Sequence, residues 1–121
     1  MIEAVRMFIQ VLVAFGIFNV WFIRFGKSTK WRGGNAKDMR AEFAVYGLPG
    51  WFMIITGTLK VTLACCLIAG FWFPAILRPA ALGLAVLMLG AIAMHTKVGD
   101  SPMKSLPAIC MLAGSLFVAF G

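Results

Sequence analysis

The sequence predicts an all-α integral membrane protein, a bundle of four transmembrane helices with a short amphipathic helix before the second span. Of its 121 residues, 62% are hydrophobic and only 12% are charged, and the mean hydropathy is +0.96. Soluble domains are about 45–50% apolar and about 25% charged. The apolar residues also cluster into four stretches close to the 17–25 residues that a spanning helix needs. The length allows one domain, residues 1–121.

Four apolar stretches predict the spans. Their expected bounds are about 7–25, 51–73, 75–95 and 103–121. Pro74 separates the second span from the third, and Pro107 falls in the first turn of the fourth, where proline is tolerated. Small residues such as Gly57, Ala64 and Gly90 recur along the spans and favour close helix packing in lipid. A compact bundle is therefore expected.

The connection between the first two spans contains its own periodic pattern. Met39, Phe43 and Tyr46 recur at helical spacing and predict an amphipathic helix over about 36–46. Asn35 is the expected N-cap and Gly47 the expected end. This helix should lie at the membrane interface or pack back against the bundle.

Basic residues predict the orientation. The formal net charge is +7, and eight Lys or Arg residues fall in or immediately before the two long loops against two on the opposite side. By the positive-inside rule, loops 26–50 and 96–104 are cytoplasmic and both termini are outside. The basic residues read as contacts with anionic membrane lipids, and nucleic acid is not an expected partner.

Lys60 is the residue that most needs an explanation. It lies near the middle of the second span, where insertion of a lysine costs about 2.5–3.5 kcal/mol. The sequence has only four acidic residues, and Glu42 is the candidate partner. Tyr46, His95 and Asp100 are expected on the same side of the membrane. One hypothesis is a polar pocket in which Lys60, Tyr46 and His95 hydrogen-bond the carbonyls of a quinone or another lipophile. The other is structural, with Lys60–Glu42 pinning the amphipathic helix to the bundle.

Other side chains offer little chemistry. Cys65, Cys66 and Cys110 form no metal-binding spacing and are expected to be small buried thiols. No metal site, phosphate loop or catalytic triad is recognisable, so catalysis by this chain alone is not expected. Glu3 and Arg6 should form a solvated pair on the first helix.

Several segments together resemble the DoxX-like family of small membrane proteins. They are Ala41–Trp51, Gly57–Val61, Gly83–Ala85, Leu89–Ala91, His95–Asp100 and Lys104–Pro107. The resemblance covers nearly the whole chain and implies four spans. The family is named for a subunit of a thiosulfate:quinone oxidoreductase, and other relatives act as membrane assembly factors. The position of Lys60 is often acidic in the family, so a lysine there is a departure from its pattern.

The resemblance and the polar residues lead to two expected functions. The first is an accessory subunit of a quinone-linked redox system in the inner membrane of a prokaryotic cell, with a lipophile bound at the polar cluster. The second is a structural or assembly subunit that packs against a larger membrane protein complex or forms a homo-oligomer.

Overall fold

The computed structural model describes residues 2–27 and 32–120. Lys30 and Trp31, which belong to the predicted basic loop, lie outside the described residues. The described chain forms five α-helices, extended at three ends by short π or 3-10 turns. The helices are α1 (Ile2–Phe18, continued by a π-helical turn Asn19–Ile23), α2 (Met39–Val45), α3 (Gly50–Ala69), α4 (Leu77–Lys97, preceded by a 3-10 turn Pro74–Ile76) and α5 (Leu106–Phe120, preceded by a 3-10 turn Pro102–Ser105).

The predicted fold class is confirmed. Four helical segments are long and apolar enough to cross a membrane, and the fifth helix, α2, is the short one before the second span. Helix α1 contacts α3 and α5, and α4 contacts the same two helices. The four long helices therefore form a ring in which each one packs against two neighbours.

The ends of two spans differ from the expected positions. Helix α1 begins at Ile2 rather than near residue 7, because its polar first turn, with the Glu3–Arg6 ion pair, continues the helix beyond the apolar stretch. Helix α3 ends at Ala69 rather than near residue 73. A turn follows, closed by the hydrogen bond from Gly70 N–H to the Cys66 carbonyl, and Trp72 and Phe73 in it are exposed. Hydropathy locates the apolar stretch, whereas backbone hydrogen bonds decide where the helix stops.

The core fills the end of the bundle that is remote from α2. Ala14, Ala64 and Ala81 have no exposed surface. Their small side chains let the helix backbones approach closely. The Gln10 side chain in this region donates to the Leu67 carbonyl on α3, at 2.5 Å, so its amide nitrogen is satisfied. The core consists of these residues: Val13, Ala14, Ile17, Ala64, Leu67, Leu77, Ala80, Ala81, Leu84, Met88, Val118 and Ala119.

Helix α2 packs back against the other end of the bundle. Its apolar stripe is confirmed, since Met39, Phe43 and Tyr46 are all buried. The expected N-cap was wrong. Asp38, not Asn35, caps the helix, because its carboxylate accepts a 2.7 Å hydrogen bond from Ala41 N–H. The helix consequently begins at Met39. Gly47 follows its end with φ +78°, a left-handed conformation that favours glycine.

Candidate functional site

A line of hydrogen-bonded side chains crosses the end of the bundle where α2 packs. The Tyr46 hydroxyl donates to Glu42 Oε2 at 2.6 Å and lies 3.5 Å from His95 Nε2. On the other side of the imidazole, His95 Nδ1 lies 2.8 Å from Asp100 Oδ2. Four of the five predicted site residues are thus neighbours in space, and they join α2 to the end of α4.

Arg32 completes this line at the Glu42 end. Its guanidinium forms a 2.9 Å ion pair with Glu42 Oε1, and both side chains are largely buried. The same guanidinium donates to the carbonyls of Arg24, Phe25 and Lys27, which follow α1. Arg32 therefore fastens the end of the first span to α2.

The loop after α4 is fastened to the loop after α1. The Asp100 carboxylate accepts hydrogen bonds from Gly34 N–H, and Lys104 Nζ donates to the Gly34 carbonyl at 2.5 Å. Lys104 Nζ also lies 3.7 Å from Asp100 Oδ1. Nearby, Lys97 Nζ donates to the Tyr46 carbonyl at 2.8 Å. The two long loops therefore meet at one end of the bundle.

Two adjacent glycines make this arrangement possible. A Cβ on Gly33 would stand 2.4 Å from Tyr46 Cε1, so the tyrosine ring lies where a side chain would be. Gly33 N–H also donates to Glu42 Oε2 at 3.2 Å. Gly34 has φ +54°, which residues with a Cβ rarely adopt. The turn can therefore bring the N–H of Gly33 to the Glu42 carboxylate and the N–H of Gly34 to the Asp100 carboxylate.

The surroundings shift two pKa values. Burial raises the pKa of the Tyr46 hydroxyl, and its hydrogen bond to Glu42 and that carboxylate's charge raise it further. Tyr46 therefore stays protonated and acts as a donor. For Asp100, burial tends to raise the pKa, but the hydrogen bonds from His95 and Gly34 and the charge of Lys104 outweigh it and lower the pKa. Asp100 is therefore a carboxylate at neutral pH.

Lys60 does not form the expected pair with Glu42. Glu42 is held by Arg32, Tyr46 and Gly33, whereas Lys60 Nζ lies 5.8 Å from the ring centroid of Trp21. Trp21 lies in the π-helical turn after α1, and its ring occupies the bare surface at Gly57, where a Cβ would stand 2.4 Å from Trp21 Cζ3. Lys60 is thus supported by a cation–π contact instead of an acid.

A cavity of about 960 Å³ occupies the half of the bundle next to the polar line. Glu42, Tyr46, His95 and Lys60 are in its wall, and Asp100 lies behind His95. Most of the remaining wall is apolar and comes from all four long helices. Phe52, on α3, and Val86 and Gly90, on α4, line the cavity and are also exposed, so the cavity communicates with the outer surface of the bundle. Its volume is within the roughly 300–1,000 Å³ range of small-molecule sites.

The thiols lie elsewhere. Cys65 and Cys110 are exposed on the outside of the bundle and Cys66 is half-buried, so the expectation of buried thiols was wrong for two of the three. Within the described residues, 2–27 and 32–120, no three His, Cys, Asp or Glu side chains come together as metal ligands. The arrangement offers hydrogen bonds, charge and an apolar space.

Two residues of this site were missed by the sequence. Arg32 entered the sequence analysis only in the count of basic loop residues, and Trp21 was not predicted to take part in any site. Neither has a local signal, because Arg32 reaches Glu42 through the fold of the loop, and Trp21 reaches Lys60 by helix packing. The Gly33-Gly34 pair was the one available hint that a backbone passes close to other groups there.

Comparisons with known proteins agree with this architecture. The model of a family described as DoxX-like matches residues 9–118. The chain is also similar to a protein of Bacillus subtilis named "Uncharacterized protein YdgD", with 33% identity over 99 residues, 74% of this chain and 83% of that protein. No solved structure matches the chain.

Proposed function

The chain belongs to the DoxX-like family of small membrane proteins, and from this membership and the hollow bundle we propose that it binds a lipophilic molecule inside the membrane. The bound molecule would place a polar head group beside Lys60, in the part of the cavity whose wall includes Glu42, Tyr46 and His95, and its apolar part against the helices. The observation that carries the proposal is the cavity of about 960 Å³, whose wall is polar near Glu42, Tyr46 and His95 and mostly apolar elsewhere.

The chemistry of the wall supports binding rather than catalysis. Tyr46 and His95 already make hydrogen bonds to Glu42 and Asp100, so they fix the shape of the polar end. Four methionines, Met39, Met88, Met94 and Met111, line the space. Methionine side chains adapt to irregular apolar partners. A fixed polar end and an adaptable apolar wall suit an amphipathic ligand.

A more specific form of the proposal is an accessory subunit of a quinone-linked redox system in the cytoplasmic membrane. A quinone combines polar carbonyls with an apolar tail, as the cavity requires. Tyr46 directs its hydroxyl hydrogen to Glu42, which leaves Lys60 as the most available donor for a quinone carbonyl. The orientation with both loops in the cytoplasm belongs to this proposal and rests on the distribution of basic residues.

The test is native mass spectrometry of the protein extracted gently from its own membrane. A stoichiometric adduct of lipophile mass supports the proposal, and a quinone mass supports the redox form. Met88→Trp should fill the cavity and reduce the adduct, with Leu89→Trp, on the exposed face of the same helix, as its matched control. An intact protein without any adduct, in the wild type as well as in both variants, would contradict the proposal.

The alternative is a structural or assembly subunit that packs against a larger membrane protein. The same spectra address it, because a stable complex with another protein and no lipophile adduct would favour it. The identity of that protein would then define the function.

A further inference from the structure

Positive charge predominates in the wall of the cavity. Four cationic side chains line it, namely Arg24, Arg32, Lys60 and Lys104, against the single carboxylate of Glu42. Arg32 is neutralised by Glu42, and Lys104 lies 3.7 Å from Asp100 Oδ1. Lys60 and Arg24 remain without an acidic partner among residues 2–27 and 32–120. The cavity therefore has an excess of positive charge that the described part of the protein does not balance.

Lys60 is the cation placed deepest. It lies ten residues after Gly50, the start of α3, which is roughly 15 Å along the helix axis at 1.5 Å per residue. It is half-buried and lines the cavity. Its ammonium group forms no hydrogen bond or ion pair within the described ranges, where its one polar support is the Trp21 ring. A cation–π contact stabilises an ammonium less than an ion pair does in an apolar surrounding.

The nearest carboxylate is not free to approach. Glu42 accepts hydrogen bonds at both oxygens, from Arg32 at Oε1 and from Tyr46 and Gly33 at Oε2. Moving it to Lys60 would leave the buried Arg32 guanidinium without its acid, which is costly. An anion supplied from outside would satisfy Lys60 without breaking the polar line.

We propose that the ligand of this cavity is an amphiphile with an anionic head group, a carboxylate or a phosphate ester, which pairs with Lys60 while its tail lies along the apolar wall. The proposal rests on the lipophile site proposed above and specifies an anionic ligand there in place of the neutral quinone. The exposed wall residues Phe52, Val86 and Gly90 provide the opening through which such a tail can enter from the surrounding lipid. Ionisable residues within spans face the bundle interior or a cavity and pair with other charged or polar groups, and an anionic head group would supply such a partner for Lys60.

The experiment measures binding of four probes that share a chain of about 16 carbons, a size suited to a cavity of this volume. They are palmitate, hexadecyl phosphate, hexadecanol and hexadecyltrimethylammonium. The purified full chain is used in nanodiscs of neutral lipid. Palmitate, hexadecyl phosphate or both should bind at least about tenfold more tightly than hexadecanol, as expected for a hydrogen bond between charged groups. The cationic probe should not bind.

Variants locate the head group. Lys60→Met approximately keeps the length of the side chain and should remove the preference for the anionic probes over hexadecanol. Lys60→Arg should retain that preference. Lys37→Met, at an exposed position in the loop before α2, is the matched control and should bind like the wild type. Binding of only one anionic probe would identify the head group as carboxylate or phosphate.

Two results would overturn the proposal. One is hexadecanol binding as tightly as both anions in the wild type, a comparison that needs no variant to fold. The other is Lys60→Met retaining the preference for the anion. In either case a lipophile still binds, so the proposed function would stand. Failure of all four probes, together with no adduct in the native spectra, would contradict both.

Discussion

Asp100 holds Gly34 through its carboxylate, at distances of 3.0 Å and 3.3 Å from the Gly34 N–H nitrogen, although 66 residues separate them in the chain. This contact joins the loop after the first span to the loop after the third. It also fixes the carboxylate that holds His95, and His95 in turn faces Tyr46. The polar end of the cavity is therefore shaped by contacts between loops, not by the spans alone.

Removing Asp100's charge should loosen this end of the bundle. We expect Asp100→Asn to lower the free energy of unfolding by about 1–3 kcal/mol, because an amide replaces a carboxylate that accepts hydrogen bonds from His95 and Gly34. Thermal unfolding in mild detergent measures the change. Asp38→Asn is the control, since asparagine is also a good N-cap and should leave stability nearly unchanged.

The Asp100 carboxylate also predicts how the stability of the protein depends on pH. Because the folded protein lowers the pKa of Asp100, its contribution to stability is full above the unfolded value, about 3.9, and is lost as the pH falls through the lower folded value. The stability difference between wild type and Asp100→Asn should be present above about pH 4 and shrink below about pH 4. A difference that disappears already near neutral pH would show that another group controls it.

Arg32 should be the most sensitive residue of the loop. We expect Arg32→Ala to destabilise the protein by about 3 kcal/mol, because the largely buried Glu42 carboxylate loses its partner and three carbonyls after α1 lose a donor. Unfolding of Lys37→Ala, an exposed basic residue of the same loop, provides the comparison. Equal stability of the two variants would mean that the Arg32–Glu42 pair contributes nothing.

Gly57 and Gly90 should respond differently to the same added methyl group. At Gly57 a Cβ would collide with the Trp21 ring, so Gly57→Ala should cost about 1–3 kcal/mol and displace the ring from Lys60. At Gly90 no atom beyond its chain neighbours and its own helix backbone lies within 4 Å of the new Cβ, and Gly90→Ala should be neutral or slightly stabilising. Unfolding measurements on both variants decide this, and a tolerated Gly57→Ala would contradict the packing of Trp21.

Orientation can be tested by cysteine labelling. In a background with Cys65, Cys66 and Cys110 replaced by serine, a cysteine at Lys37 should react with an impermeant maleimide only after the cytoplasmic side is opened. A cysteine at Trp72, in the exposed turn at the opposite end, should react in intact cells. The reverse pattern would place both long loops outside.

The sequence predicted those parts of the molecule that depend on local patterns. The spans follow from continuous apolar stretches, and the stripe of Met39, Phe43 and Tyr46 follows from helical spacing. His95, Tyr46 and Glu42 were expected on one side of the membrane, and in the structure their side chains are neighbours. The assignment of partners failed where several groups competed. Glu42 could have formed an ion pair with either Lys60 or Arg32. The path of the loop through Gly33 and Gly34 brings Arg32 to Glu42 and so decides the pairing.

The packed half of the bundle gives the hollow half a closed floor. Beyond the cavity, Ala64, Leu67, Ala81 and Leu84 have no accessible surface. These residues leave the cavity no opening toward the packed half, so a molecule bound in it would stay in the half of the bundle that contains the polar line. The proposed ligand would accordingly occupy a single leaflet of the bilayer.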